Sequence, residues 1–343
     1  MIEEFSEEFL PTEILHREEQ MEKIREVFKN FKISKMGTNL VILGCTGSGK
    51  TTIIKKVIRE EDNSIYISCN ETKTCYKTIK AIFSIQEKTH QRVLELTIKK
   101  LKENPKILVL DEIDKIDRAD EFKMLMDDLN TIYRKTMIPI ILVTLKIDIV
   151  STMQSDVRKT LLPERITLPS YNATELKDIL RSRIKNLNLD SKIDDGTINY
   201  ISAIASRQGS ARLLINLTLR CIQKNNFTFE YIDEVYSSII KEEWIGFIDN
   251  INENEKEFLR TILELGCTEE EHISAEEVEN KLGLSTGRIS QIISNFEDYS
   301  ILKSWHENLG RAGGRKRLIK FKDKEIFEGL NKEVNFDGKE VNN

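Results

Sequence analysis

The chain has 343 residues and a formal net charge of −5, from 52 Lys and Arg against 57 Asp and Glu. At roughly 150 residues per domain this length calls for two or three domains, and the acidic balance argues against a surface coated by polyanion while leaving a local basic patch open. A hydrophobic fraction of 39% excludes general disorder, and 15 glycines with 5 prolines exclude collagen-like and Pro-rich architectures.

The five cysteines, Cys45, Cys69, Cys75, Cys221 and Cys267, are scattered and form no C-x-x-C pair. That argues against a disulfide framework or a zinc site and for a reducing compartment. The acidic start MIEEFSEEFLP lacks the basic residues of a signal peptide. No apolar run approaches the roughly 20 residues of a membrane span. The expectation is a cytoplasmic, nucleoid-associated chain with no membrane partner.

Taken in order, residues 1–36 show helical spacing at Met21, Ile24, Val27 and Phe28. Strands are predicted at Asn39–Leu43, Ser64–Ser68, Ile107–Leu110 and Ile138–Thr144, with helical patterns between them. This alternation is that of a parallel α/β sheet. After Pro169 only helices are expected up to about Lys241, the first capped by Asn172 with Glu175 three residues on. Helical stretches at 253–265, 274–281 and 285–297 follow, then a basic Gly-rich hairpin at 310–317. The boundaries read as an α/β core over 1–170, an all-α domain over 171–248, a third domain over 249–328 and a polar, frayed tail over 329–343.

The strongest motif is Gly44-Cys45-Thr46-Gly47-Ser48-Gly49-Lys50-Thr51, which follows an apolar strand and opens a helix. It fits the phosphate-binding pattern G-x-x-x-x-G-K-[ST]. Glycines let the backbone turn its N–H groups towards phosphate oxygens, and the helix start adds its positive dipole end. Lys50 is expected on the β and γ phosphates, and the Thr51 hydroxyl on Mg²⁺. The second motif is Ile107-Leu108-Val109-Leu110-Asp111-Glu112. It places two carboxylates at the C-terminal end of a buried strand, the ligand-binding edge of an open α/β sheet. Asp111 would hold Mg²⁺ and Glu112 would polarise the attacking water. ATP or ADP with Mg²⁺ is the expected cofactor.

With these motifs the chain resembles the AAA+ ATPases, and most closely the archaeal replication initiators related to the origin recognition complex and its cell-division-cycle partner. The resemblance covers about residues 10–325. It is carried by Leu10-Pro11 with His16-Arg17-Glu18-Glu19-Gln20, Tyr66–Asn70, Leu110–Asp114, Val157–Leu161, Leu168-Pro169-Ser170-Tyr171 and Gly209-Ser210-Ala211-Arg212. It implies a P-loop core with parallel sheet, an all-α lid and a C-terminal winged helix. It also implies that Leu10, Pro11, His16 and Arg17 close the nucleotide site, which Thr52 and Tyr171 join. Arg158 would be an arginine finger directed at a neighbouring subunit, with Arg165 nearby as a competitor, and Arg212 would be a lid residue reaching the γ-phosphate. One departure stands out. The polar residue the family carries at the tip of the fourth strand aligns with Leu145, which cannot hydrogen-bond, leaving Thr144 or Lys146 as substitutes. Slow ATP hydrolysis is therefore expected. The family's helical insertion would fall near Ala81–Lys102, and that segment is short for it.

Residues 274–297 read as helix-turn-helix, with Gly283 as a stop and Ser285 as a cap. Ile289, Ile292, Ile293 and Phe296 mark its buried face, leaving Thr286, Arg288 and Gln291 outward as base readers. The hairpin carries Arg311, Arg315, Lys316 and Arg317 with no acid over residues 310–317, and Gly313 and Gly314 at its tip. It would act as a wing along phosphates. His90, His272 and His306 have no partner at ligand spacing, and Trp244 and Trp305 read as packing residues. The expectation is an ATP-switched replication initiator on double-stranded origin DNA, with self-association or related subunits and a replicative helicase as partners. The alternative is an AAA+ or STAND-like regulatory or targeting ATPase whose winged helix contacts protein.

Overall fold

The computed structural model describes residues 5–6, 9–116, 118–145, 149, 153–161, 163–187, 192–298, 301–308, 315–322 and 324–334. Two compact units are present, one ending at Phe229 and one beginning at Glu230.

The first unit opens with α1 (Glu18–Ser34), whose Met21, Ile24, Val27, Phe28 and Phe31 are buried at the expected helical steps. Five parallel strands follow: β1 (Leu40–Gly44), β2 (Ser64–Ser68), β3 (Ile107–Asp111), β4 (Ile140–Thr144) and β5 (Glu164–Leu168), in the order β2-β3-β4-β1-β5. The central strands are apolar along their length because both faces are covered. Helices α2 (Lys50–Glu61), α3 (Cys69–Thr72), α4 (Cys75–Ala81), α5 (His90–Glu103), α6 (Ala119–Thr136) and α7 (Ser155–Leu161) make the connections. β1 sits between β4 and β5, with Leu40 paired to both Ile141 and Glu164. This places the β1–α2 loop beside the ends of β4 and β5. The fifth strand was not anticipated. Glu164-Arg165-Ile166-Thr167-Leu168 buries only Ile166 and Leu168, so this edge strand carries too little apolar signal to stand out.

Beyond β5 come α8 (Ala173–Asn186), α9 (Asp195–Ser206) and α10 (Ala211–Lys224). The Asn172 side chain accepts from Glu175 N while Glu175 accepts from Asn172 N, the expected capping box.

The second unit contains α11 (Phe229–Asn250), α12 (Glu253–Glu264), the short strand β6 (Ile273–Ser274), α13 (Ala275–Leu282), α14 (Thr286–Asp298), β7 (Leu302–Asn308), β8 (Arg315–Phe321) and α15 (Lys324–Val334). Gly283 takes the left-handed conformation at φ +65° and ends α13, as its position predicted. Antiparallel β7 and β8 pair from Leu302–Phe321 to Asn308–Arg315, and β6 adds on the other edge of β8. Phe258, Val278, Ile289, Phe296, Ile319 and Phe321 share one core. The polar tail begins later than expected: α15 continues to Val334 because Leu330 is fully buried in this core. Among the described residues, no helix is long and apolar enough to cross a membrane.

Candidate nucleotide site

The loop between β1 and α2 is shaped by two glycines that other residues could not replace. Gly47 and Gly49 have φ of +76° and +94°. A Cβ at Gly47 would lie 2.0 Å from Ser210 Oγ, and one at Gly49 would lie 3.0 Å from Tyr171 Oη. The loop is therefore pressed against residues that follow β5 and that precede α10. Cys45 and Thr46 are exposed at its tip, while Thr51 and Thr52 are half-buried in the first turn of α2.

Lys50 folds back over the loop. Its Nζ donates to Gly44 O at 2.7 Å and to Cys45 O at 2.9 Å. Burial lowers its pKa from the ordinary 10.5, with nearby Cys45, Asp114 and Asp111 opposing that shift and Arg212 adding to it. The hydroxyl of fully buried Ser48 finds no partner among the described residues. A glycine cradle, a desolvated lysine and an orphaned hydroxyl at a helix N-terminus fit a polyphosphate. Thr51 and Asp111 are the residues that would hold an accompanying Mg²⁺.

Asp111 is 1% exposed and is held from both sides. Tyr66 Oη donates to its Oδ2 at 2.7 Å, and Glu112 N donates to its Oδ1 at 2.9 Å. Burial and the Asp111 charge push the Tyr66 pKa up, so Tyr66 stays a donor. Glu112 follows at φ +55°, with its carboxylate accepting from Ser68 Oγ at 3.3 Å. Sequence reasoning placed the two carboxylates but missed Tyr66 and Ser68, which orient them from β2. The same region settles the end of β4. Thr144 Oγ1 and Leu145 N both donate to Asp114 Oδ1, at 2.9 Å and 3.0 Å. Thr144 is buried and engaged there, Leu145 offers only its backbone, and Lys146 lies outside the described residues.

Arg17 is the largest surprise. Its 1% exposure makes it one of the most deeply buried large side chains. Its Nε donates to Ser48 O at 3.2 Å, Nη1 to His16 O at 2.8 Å and Nη2 to Pro169 O at 2.7 Å. The guanidinium also lies 3.7 Å from the Tyr171 ring centroid. Arg17 thus ties the N-terminal segment to the phosphate loop and to the end of β5. His16, at φ +62°, meets Asp178 of α8 at 3.1 Å, and Lys56 Nζ holds Thr12 O at 2.7 Å. Leu10 and Pro11 are half-buried.

The helical segment reaches the loop through its backbone. Ala211 N donates to Gly47 O at 3.1 Å, Tyr171 N to Gly209 O at 3.0 Å, and the Cys45 thiol meets Ser170 Oγ at 3.1 Å. Ser210 caps α10 by accepting from Leu213 N at 3.2 Å, which puts Arg212 in the first turn, where Lys50 feels its charge. Arg158 is different. It is exposed on α7, and among the described residues no hydrogen bond or ion pair joins it to the loop. The loop, Asp111, Glu112, Arg17, Tyr171 and Arg212 are brought together, and Arg158 is not.

In the second unit, Thr286, Arg288 and Gln291 are exposed on α14, opposite buried Ile289, Ile292, Ile293 and Phe296, as the spacing predicted. Thr286 Oγ1 donates to Glu279, Gln291 to Asn295, and Arg288 N to Ser285 Oγ. The hairpin cations need a correction. Arg317 does not stand free: Nη2 meets Glu297 Oε2 at 3.0 Å and Nε meets Ser304 Oγ at 3.0 Å. Lys316 stands opposite Glu307 in the strand register. Arg315 is exposed at the strand end, and Arg311, Gly313 and Gly314 lie outside the described residues. The histidines also require revision. His272 stacks edge-on with Trp305 at 5.5 Å, and His90 does have partners at ligand distance, Cys75 and Asp128. The Trp244 side chain lies outside what is described.

A family profile described as AAA domain matches residues 34–150. The ORC1-type DNA replication protein 1 of Sulfurisphaera tokodaii is 28% identical over 91% of this chain and 87% of its own length. The ORC1-type DNA replication protein of Thermoplasma volcanium is 26% identical over 90% of this chain and 85% of its own. In fold, the Aeropyrum pernix ORC1 protein, solved in complex with DNA, superposes with a TM-score of 0.71 at 20% identity, covering 97% of this chain and 96% of that one. Pyrobaculum aerophilum CDC6P gives 0.59 at 15% identity, covering 97% and 98%. With the phosphate loop and its carboxylate pair in place, the chain carries an AAA domain match and is similar over about nine-tenths of its length to archaeal ORC1-type DNA replication proteins.

Proposed function

We propose that this protein is an ATP-switched DNA replication initiator, with an α/β core over 1–170, a helical lid over 171–248 and a winged helix over 249–328. The observation that carries the switch is the contact of α10 with the loop. Ala211 N bonds Gly47 O, and Arg212 stands one residue on. A γ-phosphate on the loop would draw Arg212 towards it, and its loss would release that pull. Phosphate occupancy thereby biases the helical segment between two positions. Lys50 would exchange its loop carbonyls for phosphate oxygens. Glu112 would take the proton of the attacking water, and Mg²⁺ held by Thr51 and Asp111 would offset phosphate charge. Leu145 leaves that water without the expected polar guide, so turnover is slow and binding state matters more than rate. Arg158 would complete the site of a neighbouring subunit, which fits its exposure.

Duplex DNA would meet Thr286, Arg288 and Gln291 on α14 and the wing at Arg311, Gly313, Gly314 and Arg315. Arg317 contributes less, being engaged with Glu297. That engagement also gives some support to the second reading, a regulatory ATPase whose winged helix contacts protein. Relatives named for DNA replication favour the first. Lys50→Ala should abolish ATP binding measured by equilibrium dialysis. Arg311→Glu with Arg315→Glu should weaken duplex binding and flatten its dependence on salt. Intact ATP binding in the first variant overturns the nucleotide reading, and unchanged duplex affinity in the second favours the protein-contact reading.

A further inference from the structure

Away from the phosphate loop, three donor groups of different chemistry converge under α4, α5 and α6. The Cys75 thiol donates to Asp128 Oδ2 at 3.2 Å, and His90 Nε2 lies 2.7 Å from the same oxygen. One ligand atom from each residue falls within 4.8 Å of the others. Cys75 is fully buried, Asp128 is 7% exposed, and His90 is half-buried and opens to solvent. The three residues sit at the first position of α4, the first of α5 and the interior of α6.

The order of the cluster excludes a thiol nucleophile, in which the histidine stands between the thiol and the carboxylate. Here the carboxylate is central: Asp128 Oδ2 is shared by the Cys75 thiol and His90 Nε2, so three groups of metal-ligating chemistry face one another around a single oxygen.

We propose that Cys75, His90 and Asp128 form a binding site for a zinc-like divalent metal ion, separate from the nucleotide's magnesium. Thiolate, imidazole and carboxylate are the ligand set that borderline-soft Zn²⁺ prefers. With the thiol deprotonated, Cys75 and Asp128 supply two negative charges, which neutralise a divalent cation in a buried site. Coordination forms the sulfur–metal bond in place of the S–H bond, and the thiol proton passes to solvent. A tetrahedral ion would set the N–O and S–O separations at about 3.3 and 3.5 Å, so these two pairs open by about 0.6 and 0.3 Å from 2.7 and 3.2 Å. Water on the exposed side of His90 supplies the fourth ligand. The ion would pin three helices that cover the sheet next to β3.

The test titrates the nucleotide-free full chain with Co²⁺ and then displaces it with Zn²⁺. A thiolate-to-cobalt charge-transfer band at one equivalent is expected. Cys75→Ser should lose the band, and His90→Gln should keep it with affinity lowered at least about tenfold. Absence of the band in the wild-type chain overturns the proposal. So does a band that survives in Cys75→Ser, since it would then belong to exposed Cys45. Should Cys75→Ser fail to fold, His90→Gln decides: unchanged cobalt affinity overturns the site.

Discussion

Arg17 shows how far a single charged residue can depart from its usual place. A lone arginine at a helix start reads as solvated surface, yet here it fills a buried position and satisfies three carbonyls, of Ser48, His16 and Pro169. Burying a guanidinium costs little only when each donor is paired, and removing it leaves acceptors stranded. Arg17→Ala should destabilise the chain by about 3 kcal/mol in urea unfolding and also weaken ATP binding, because Ser48 belongs to the loop. Arg17→Lys should recover little, since an ammonium cannot span three carbonyls in a plane. Glu277 illustrates the opposite case, an exposed cap. Hydrogen bonds from Ser274 hold its carboxyl below the ordinary 4.5. The folded pKa is depressed, so the capping contribution is present above the ordinary value and is lost as pH falls through the folded one. Thermal unfolding against pH should show this acid loss in the wild type and a shallower loss in Glu277→Gln.

At the scale of elements, what was legible followed from local chemistry. The phosphate loop, the buried strands and the helix-turn-helix carry their signals in adjacent residues, as glycine spacing, apolar runs and caps. The strand β5 was not legible, because an edge strand with Glu164, Arg165 and Thr167 outward resembles a loop. The carboxylate pair was readable, but Tyr66 and Ser68, which orient it, come from another strand 45 and 44 residues away. The Cys75–His90–Asp128 cluster was missed for the same reason: its members lie 38 and 53 residues from Asp128 in sequence, with no motif spacing. The Arg317–Glu297 ion pair was not legible either, because Glu297 lies 20 residues away on α14. The contact of α10 with the loop makes its own prediction. Ser210→Ala removes the cap of α10 and should cost about 1 kcal/mol of stability. It should also loosen ATP more than ADP in equilibrium binding, because Arg212 stands in the uncapped turn. Equal losses for both nucleotides would place Arg212 outside γ-phosphate recognition.

For the whole molecule, a net charge of −5 leaves the proposed DNA contact to local cations. Among the described residues, the exposed groups proposed for it are Arg315 at the start of β8 and Thr286, Arg288 and Gln291 on α14. If Arg311 and Arg315 each neutralise one phosphate, replacing both should reduce the slope of log affinity against log salt by roughly two. Fluorescence anisotropy over a salt series measures this. The proposed nucleotide-switched initiator would mark the places where replication begins. The most direct measurement is genome-wide mapping of the chain on DNA in its own cells, set beside a map of replication starts. Sharp peaks that coincide with those starts, and that weaken in Lys50→Ala, are the predicted result. Diffuse occupancy, or peaks unrelated to replication starts, would contradict it.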